Sequence, residues 1–163
     1  MKEASTRRKL EFATFDDVIR EVQSLQAGGY LATGKWNLAQ ICGHLAEWLR
    51  FPLDGYPKSI LPIRLMMWVM RHTTAPGQLR KVLETKSWPA GTPTIPQTVP
   101  GVDAETDAAA VQKLSAAIDR FQKHEGEFQP SPLFGKLDRD RMTQLQLIHC
   151  AHHLSFLVPQ AQL

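Results

Sequence analysis

The stretch NLAQICGHLAEWLRF, residues 37–51, predicts a long amphipathic helix and decides the class of the fold. Asn37 is followed at the third position by Gln40, which is the spacing of a reciprocal helix cap, and Pro52 is expected to end the helix after Phe51. Almost no alternating pattern typical of strands occurs elsewhere, so we predict an all-α protein. The apolar stripe of this helix consists of Leu38, Ile41, Cys42, Leu45, Trp48 and Leu49.

Capping residues and periodicity predict two further helical regions near this one. The first helix begins at Thr14, with Asp17 in a capping-box arrangement, and stops at the glycines 28–29. A helical region over residues 60–86 is expected to break around residues 73–77, where Thr-Thr-Ala-Pro-Gly indicates a stop and a restart.

The second half of the chain begins with a proline-rich segment over residues 88–101, which we predict to be an extended crossover. A segment of this length is either a functional lid or, as we favour, a surface crossover that joins two parallel helices. A helix from residue 104 to about Glu127 follows a cap at Asp103, and a last helix runs from a cap at Asp138 to Leu157.

Composition narrows the class of protein. A chain of 163 residues with 43% hydrophobic and 21% charged residues suits one domain over residues 1–163. The net charge of +3 is spread along the chain, so a nucleic-acid partner is a poor expectation. No export signal is indicated at the N-terminus, and the most apolar run, residues 60–70, is interrupted by Pro62 and Arg64, so no membrane anchor is expected.

Cys42 and Cys150 form no Cys-x-x-Cys pair, which favours a reducing, cytoplasmic setting. On helices, Cys42 points about 160° from His44, and Cys150 lies about 100° round from His149. We therefore predict that both thiols pack in the core.

Three histidines crowd into five residues: His149, His152 and His153. On a helix, His149 and His153 lie about 40° apart in azimuth and about 6 Å apart along the axis, which is close enough for both to bind one ion. His152 is off that seam, so a third ligand must come from another helix. His44 is the candidate, because it stands at the margin of the apolar stripe of its helix.

The same spacing also fits buried histidines that only satisfy ordinary hydrogen bonds. Glu47 either ligates or orients His44, or it is a solvated surface charge. His152 either acts behind the ligands, orienting a ligand or moving a proton, or packs in the core or at a dimer interface. Trp48 forms an apolar wall of the site or simply packs in the bundle.

Three stretches, RRKL at 7–10, GKWNLAQICGHLA at 34–46 and IHCAHHL at 148–154, resemble the DinB/YfiT-like superfamily, in particular a bacterial branch of unknown function. The resemblance covers nearly the whole chain. It implies a four-helix bundle with a long crossover, a homodimer, and a divalent ion such as nickel or zinc on three histidines. Carried over by position, these ligands are His44, His149 and His153.

One departure limits what the resemblance carries. Many relatives, including those similar to low-molecular-weight thiol S-transferases, continue the last histidine with Arg-Gly-Gln, whereas this chain continues with Leu154, Ser155 and Phe156. Fold and ligation transfer by such a resemblance, but the reaction class does not.

Three neutral imidazoles leave coordination positions open on an ion, which is typical of catalytic sites. The sequence thus favours a metal-dependent transferase or hydrolase that acts on a small molecule by thiol S-transfer or hydrolysis. The alternative is a non-catalytic helical dimer that binds a metal or small ligand. A DNA-associated module, suggested by Arg7, Arg8 and Lys9, is the weakest hypothesis.

Overall fold

The computed structural model describes residues 7–89, 98–101 and 105–160. Within these ranges the chain forms six helices and one two-stranded antiparallel sheet, which confirms a mostly helical protein. The elements are α1 (Phe15–Gly28), β1 (Tyr30–Ala32), α2 (Leu38–Asp54), α3 (Leu61–His72), α4 (Ala75–Thr85), α5 (Asp107–Lys123), α6 (Arg139–Leu154) and β2 (Leu157–Pro159).

The predicted starts of three helices are confirmed. Thr14 and Asp17 form the capping box of α1, and Asn37 and Gln40 form that of α2. The Asp138 side chain caps α6 by accepting a hydrogen bond from the backbone N–H of Arg141 at 2.8 Å. These local signals work because each helix leaves N–H groups in its first turn that a nearby side chain can accept.

The first turn of α2 is also capped by distant parts of the chain. Its first two N–H groups donate to the Tyr30 hydroxyl and to the Asp107 carboxylate, each at 3.0 Å. The N–H of Gln40 donates to the Asn37 side chain at 2.8 Å, and the N–H of Asn37 itself donates to the Gln40 side chain at 3.0 Å. All four donors that a helix start leaves free are therefore satisfied, and α2 is tied to β1 and α5.

The predicted end of α2 is wrong, because the helix passes through Pro52 and ends at Asp54. A proline inside a helix has no N–H for the carbonyl four residues earlier, here that of Trp48. The side-chain amide of Gln146 on α6 donates to this carbonyl at 3.1 Å instead. Tertiary packing thus satisfies the group that the proline leaves free.

The helical region over 60–86 does break, but the break is narrower than predicted. Only residues 73–74 separate α3 from α4, and Pro76 and Gly77 lie within the first turn of α4. Proline is tolerated there because the first N–H groups of a helix have no partner inside the helix. Residues 90–97 of the predicted crossover lie outside the described residues.

The helix predicted from residue 104 to about Glu127 appears as α5, which is shorter. Thr106 caps its start, while the predicted cap Asp103 lies outside the described residues, as does residue 104. The helix ends at Lys123 rather than Glu127, because the chain turns back to bury Phe128 against Phe121, with ring centroids 5.0 Å apart.

The last helix was predicted to reach Leu157, but α6 ends at Leu154 and Leu157 opens β2. Strand β2 pairs with β1 in the register Tyr30↔Pro159, Leu31↔Val158 and Ala32↔Leu157. Strands of three residues are too short to show a period-two pattern, so no sequence pattern predicted this pair.

Helices α1, α2, α5 and α6 enclose the apolar core, with α2 packed most extensively against α5. Helix α3 has no buried residue and contacts mainly α4. Within the described ranges, no helix is long and apolar enough to cross a membrane.

Replacing Asp107 by alanine removes the acceptor for the second N–H of α2 and for the Tyr30 hydroxyl, which donates to it at 3.1 Å. We expect the free energy of unfolding to fall by about 1 to 2 kcal/mol in urea denaturation. The matched control is Asp119→Ala on the same helix, whose exposed ion pair with Lys123 contributes little. Equal stability of the two variants would contradict this account of the cap.

Candidate metal centre

The imidazoles of His44, His149 and His153 meet at one point. His44 lies in the middle of α2, and the other two lie on the last turns of α6. The Nε2 atom of His149 is 3.3 Å from Nε2 of His44 and 3.0 Å from Nε2 of His153. One ligand atom from each of the three residues lies within 4.8 Å of the others.

These separations suit a shared ion better than they suit hydrogen bonds. Zinc–imidazole bonds are about 2.0–2.1 Å long, so two tetrahedral nitrogen ligands lie about 3.4 Å apart. A ring nitrogen carries either one proton or one lone pair. Nε2 of His149 therefore cannot make two good hydrogen bonds with two neighbouring nitrogens, whereas all three lone pairs can face one cation.

A backbone carbonyl orients His44. Its Nδ1 lies 3.0 Å from the carbonyl oxygen of Thr98, to which an Nδ1–H donates. This bond leaves the lone pair on Nε2, the atom that faces His149. Sequence reasoning missed Thr98, because nothing local links it to a histidine 54 positions away.

Burial keeps the three rings neutral. Desolvation, followed by the charges of neighbouring histidines, lowers the pKa of His153 to about 2 and that of His149 well below its ordinary value. Desolvation also lowers the pKa of His44, although the Thr98 carbonyl opposes the shift. Neutral imidazoles offer lone pairs, so the site can hold a cation at neutral pH without first losing protons.

Tryptophans surround the imidazoles. Trp36 stacks on His153 with ring centroids 5.4 Å apart and planes at 16°. Trp48 and Trp88 lie 5.1 and 5.2 Å from the ring centroid of His149. The predicted apolar wall at Trp48 thus lies against the site. Trp36 lies eight positions before His44, in the stretch 34–46 that carries the family resemblance, but the sequence analysis predicted no role for it in the site.

His152 lies beside the cluster, and its Nδ1 faces Arg7 rather than the other imidazoles. Its Nδ1 accepts a hydrogen bond of 2.8 Å from the guanidinium of Arg7, and its ring meets the edge of His153 at 4.9 Å. Desolvation and the charge of Arg7 lower the pKa of His152 to about 4. His152 is thus neutral at neutral pH, outside the trio of converging nitrogens.

The contacts of Glu47 and the two cysteines show that none of these side chains joins the histidine cluster. Glu47 forms an ion pair of 2.7 Å with Arg50, which agrees with the surface-charge alternative. Cys42 and Cys150 are buried, as predicted, and burial raises the pKa of each thiol to about 12. Neither thiol is therefore an activated nucleophile.

A cavity of about 290 Å³ lies beside the cluster, and all three imidazoles line it. The cluster therefore borders open space, and His44 also lines a second cavity of about 260 Å³. An ion held by three imidazoles has room there for a further ligand.

The sequence matches a known protein family over nearly its whole length. Residues 4–160 match the model of a family described as "Protein of unknown function (DUF1569)", and the chain belongs to that family. No curated protein and no solved structure matches the chain.

The buried neutral histidines make the stability of the metal-free protein depend on pH. The unfolded chain takes up protons below the ordinary histidine pKa of 6.5, whereas folded His153 does so only near about 2. Stability is therefore complete above 6.5 and falls as the pH drops, by up to about 1.4 kcal/mol per pH unit for each such histidine.

We expect urea unfolding between about pH 7 and about pH 5.5 to show this slope, and His153→Gln to reduce it. Parallel curves for the parent and His153→Gln would show that the cluster does not titrate in this way.

Proposed function

We propose that this protein is a divalent-metal-dependent enzyme that acts on a small molecule at His44, His149 and His153. The observation that supports this most is the meeting of three imidazoles around Nε2 of His149, at 3.0 and 3.3 Å, on the wall of a cavity. A structural ion would instead be enclosed by four protein ligands.

Imidazole ligands suit nickel and zinc, which are the ions that we propose. An ion held there supplies a Lewis acid that brings the pKa of a coordinated water or thiol toward neutrality, and so a nucleophile for hydrolysis or thiol S-transfer. The Thr98 carbonyl holds the His44 ring in the ligating tautomer. Trp36 and Trp88 shield the imidazoles from bulk water.

His152 is the proposed positioning residue behind the ligands. Because Arg7 donates to its Nδ1, the proton of the neutral ring is on Nε2. That N–H is available to donate to a group bound in the cavity, which His152 also lines.

We also propose membership of the DinB-like superfamily, with α1, α2, α5 and α6 as its four-helix bundle. The supporting observations are the packing of these four helices and the origin of the three histidines on α2 and α6. We propose a homodimer because the same resemblance implies one. We propose a cytoplasmic location because the two cysteines are free. A monomer in sedimentation at micromolar concentration counts against the dimer.

Protein purified without an affinity-tag metal and reconstituted with zinc or nickel should hold one ion per chain by elemental analysis. We expect His153→Ala and His44→Ala to lower the affinity by more than about 100-fold, because each removes a ligand rather than a supporting contact. His152→Ala is the matched control and should keep the stoichiometry of the parent. No ion in the reconstituted parent would remove the basis of the proposal.

Cobalt substitution separates the enzyme from the alternative, a non-catalytic metal-binding dimer. At an open site, azide or a small thiol changes the visible spectrum of the cobalt protein, since it enters the coordination sphere. An unchanged spectrum, together with unfolding on metal removal, supports a closed structural ion instead.

A further inference from the structure

The cavity beside the histidines has a wall without formal charge. None of the described residues that line it is Asp, Glu, Lys or Arg. Its sides come from α2, α3, α4, α6 and the segment 131–134, and include Trp48, Met67 and Phe134. A ligand charge buried against this wall would lack a partner of opposite sign, which is costly.

The polar groups of the cavity are neutral: they are the imidazoles and the side chains of Tyr56, Gln78, Ser131 and Gln146. Burial raises the pKa of Tyr56 to about 12, although a side-chain hydrogen bond with Ser131 opposes the shift, so the phenol stays protonated. Gln146 also reaches the wall, but its amide nitrogen already donates to the Trp48 carbonyl. These groups can hydrogen-bond a neutral substituent but cannot balance a carboxylate or an ammonium group.

The volume of the cavity limits the size of the ligand. A closed apolar cavity of about 150 Å³ holds one benzene molecule. The volume of about 290 Å³ here therefore suits one or two rings, or a ring with a short chain. Trp48, Tyr56, Trp88 and Phe134 give the wall a matching aromatic character. The ring centroids of Trp48 and Trp88 lie 5.1 and 5.2 Å from that of His149.

We propose that the substrate is an uncharged, mainly apolar molecule of one or two rings, with one metal-ligating group that faces the imidazoles. The ligating group rests on the proposed function, whereas the apolar body rests on the cavity alone. The ring lies against Trp48 and Phe134, and the ligating group faces the point at which the three imidazoles meet. A neutral hydroxyl or amide on the far side of the ring would meet Tyr56 and Ser131.

The test uses a matched pair of probes: phenylmethanethiol, which is neutral apart from its thiol, and the same molecule with a carboxylate in the para position. In the zinc-loaded protein the thiol of either probe would face the ion, which places the para carboxylate at the far end of the cavity, against the uncharged wall. Calorimetric titration should show binding of the neutral thiol at least about tenfold tighter, because there the carboxylate is desolvated without a partner. Equal affinities, or tighter binding of the carboxylate, would overturn the proposal.

A charge placed in the wall should reverse this preference. Met67 is half-buried on α3 and lines the cavity, whereas its neighbour Met66 is 54% exposed and does not line it. We expect Met67→Lys to weaken binding of the neutral thiol by about tenfold or more and to strengthen binding of the para-carboxylate. Met66→Lys should change neither affinity. Unchanged affinities in both variants would overturn the assignment of this cavity.

A third titration separates failure of this inference from failure of the proposed function. Methylbenzene has the ring but no ligating group, so it should bind to metal-free protein and compete with the neutral thiol. If the protein binds no zinc but does bind methylbenzene in preference to benzoate, the cavity assignment stands and the enzyme proposal fails. If zinc binds stoichiometrically but neither methylbenzene nor phenylmethanethiol binds, the cavity assignment fails and the metal site stands.

Discussion

The contact between α2 and α6 is the constraint on which the rest of this structure depends. Near Pro52, the Gln146 amide donates to the Trp48 carbonyl, and one turn further along α6 His149 faces His44. Two directional contacts at different heights fix both the axial position and the rotation of one helix against the other. A shift of one residue along either helix would turn an imidazole by about 100° and separate the ligand atoms.

The C-terminal end of α6 is held by the two short strands. After Leu154 the chain leaves the helix, and the Phe156 carbonyl accepts a hydrogen bond of 2.8 Å from the backbone N–H of Thr33. This pairing brings the segment before α2 alongside the end of α6, which lets Trp36 stack on His153. The sheet is small, but it positions Trp36 against the histidine site.

Burying three imidazoles together has one consequence for both stability and chemistry. The same desolvation that keeps protons off His149 and His153 leaves their lone pairs free for a cation. The buried thiols behave in the opposite way, since desolvation holds Cys42 and Cys150 in the protonated form. The core therefore provides neutral nitrogen ligands and no reactive sulfur, beside a cavity whose described wall lacks charge.

The sequence alone determined the helical class, the caps at Thr14, Asn37 and Asp138, and the pairing of His149 with His153, because each depends on residues within four positions of one another. The sequence also predicted His44 as the third candidate ligand, from its position at the margin of the apolar stripe. Its distance from His149 and His153, however, depends on how the helices pack. Only the tertiary structure decided the contributions of Thr98 and Gln146, the passage of α2 through Pro52 and the pairing of β1 with β2. These features join residues 54 to about 130 positions apart, and local propensity holds no information on such contacts.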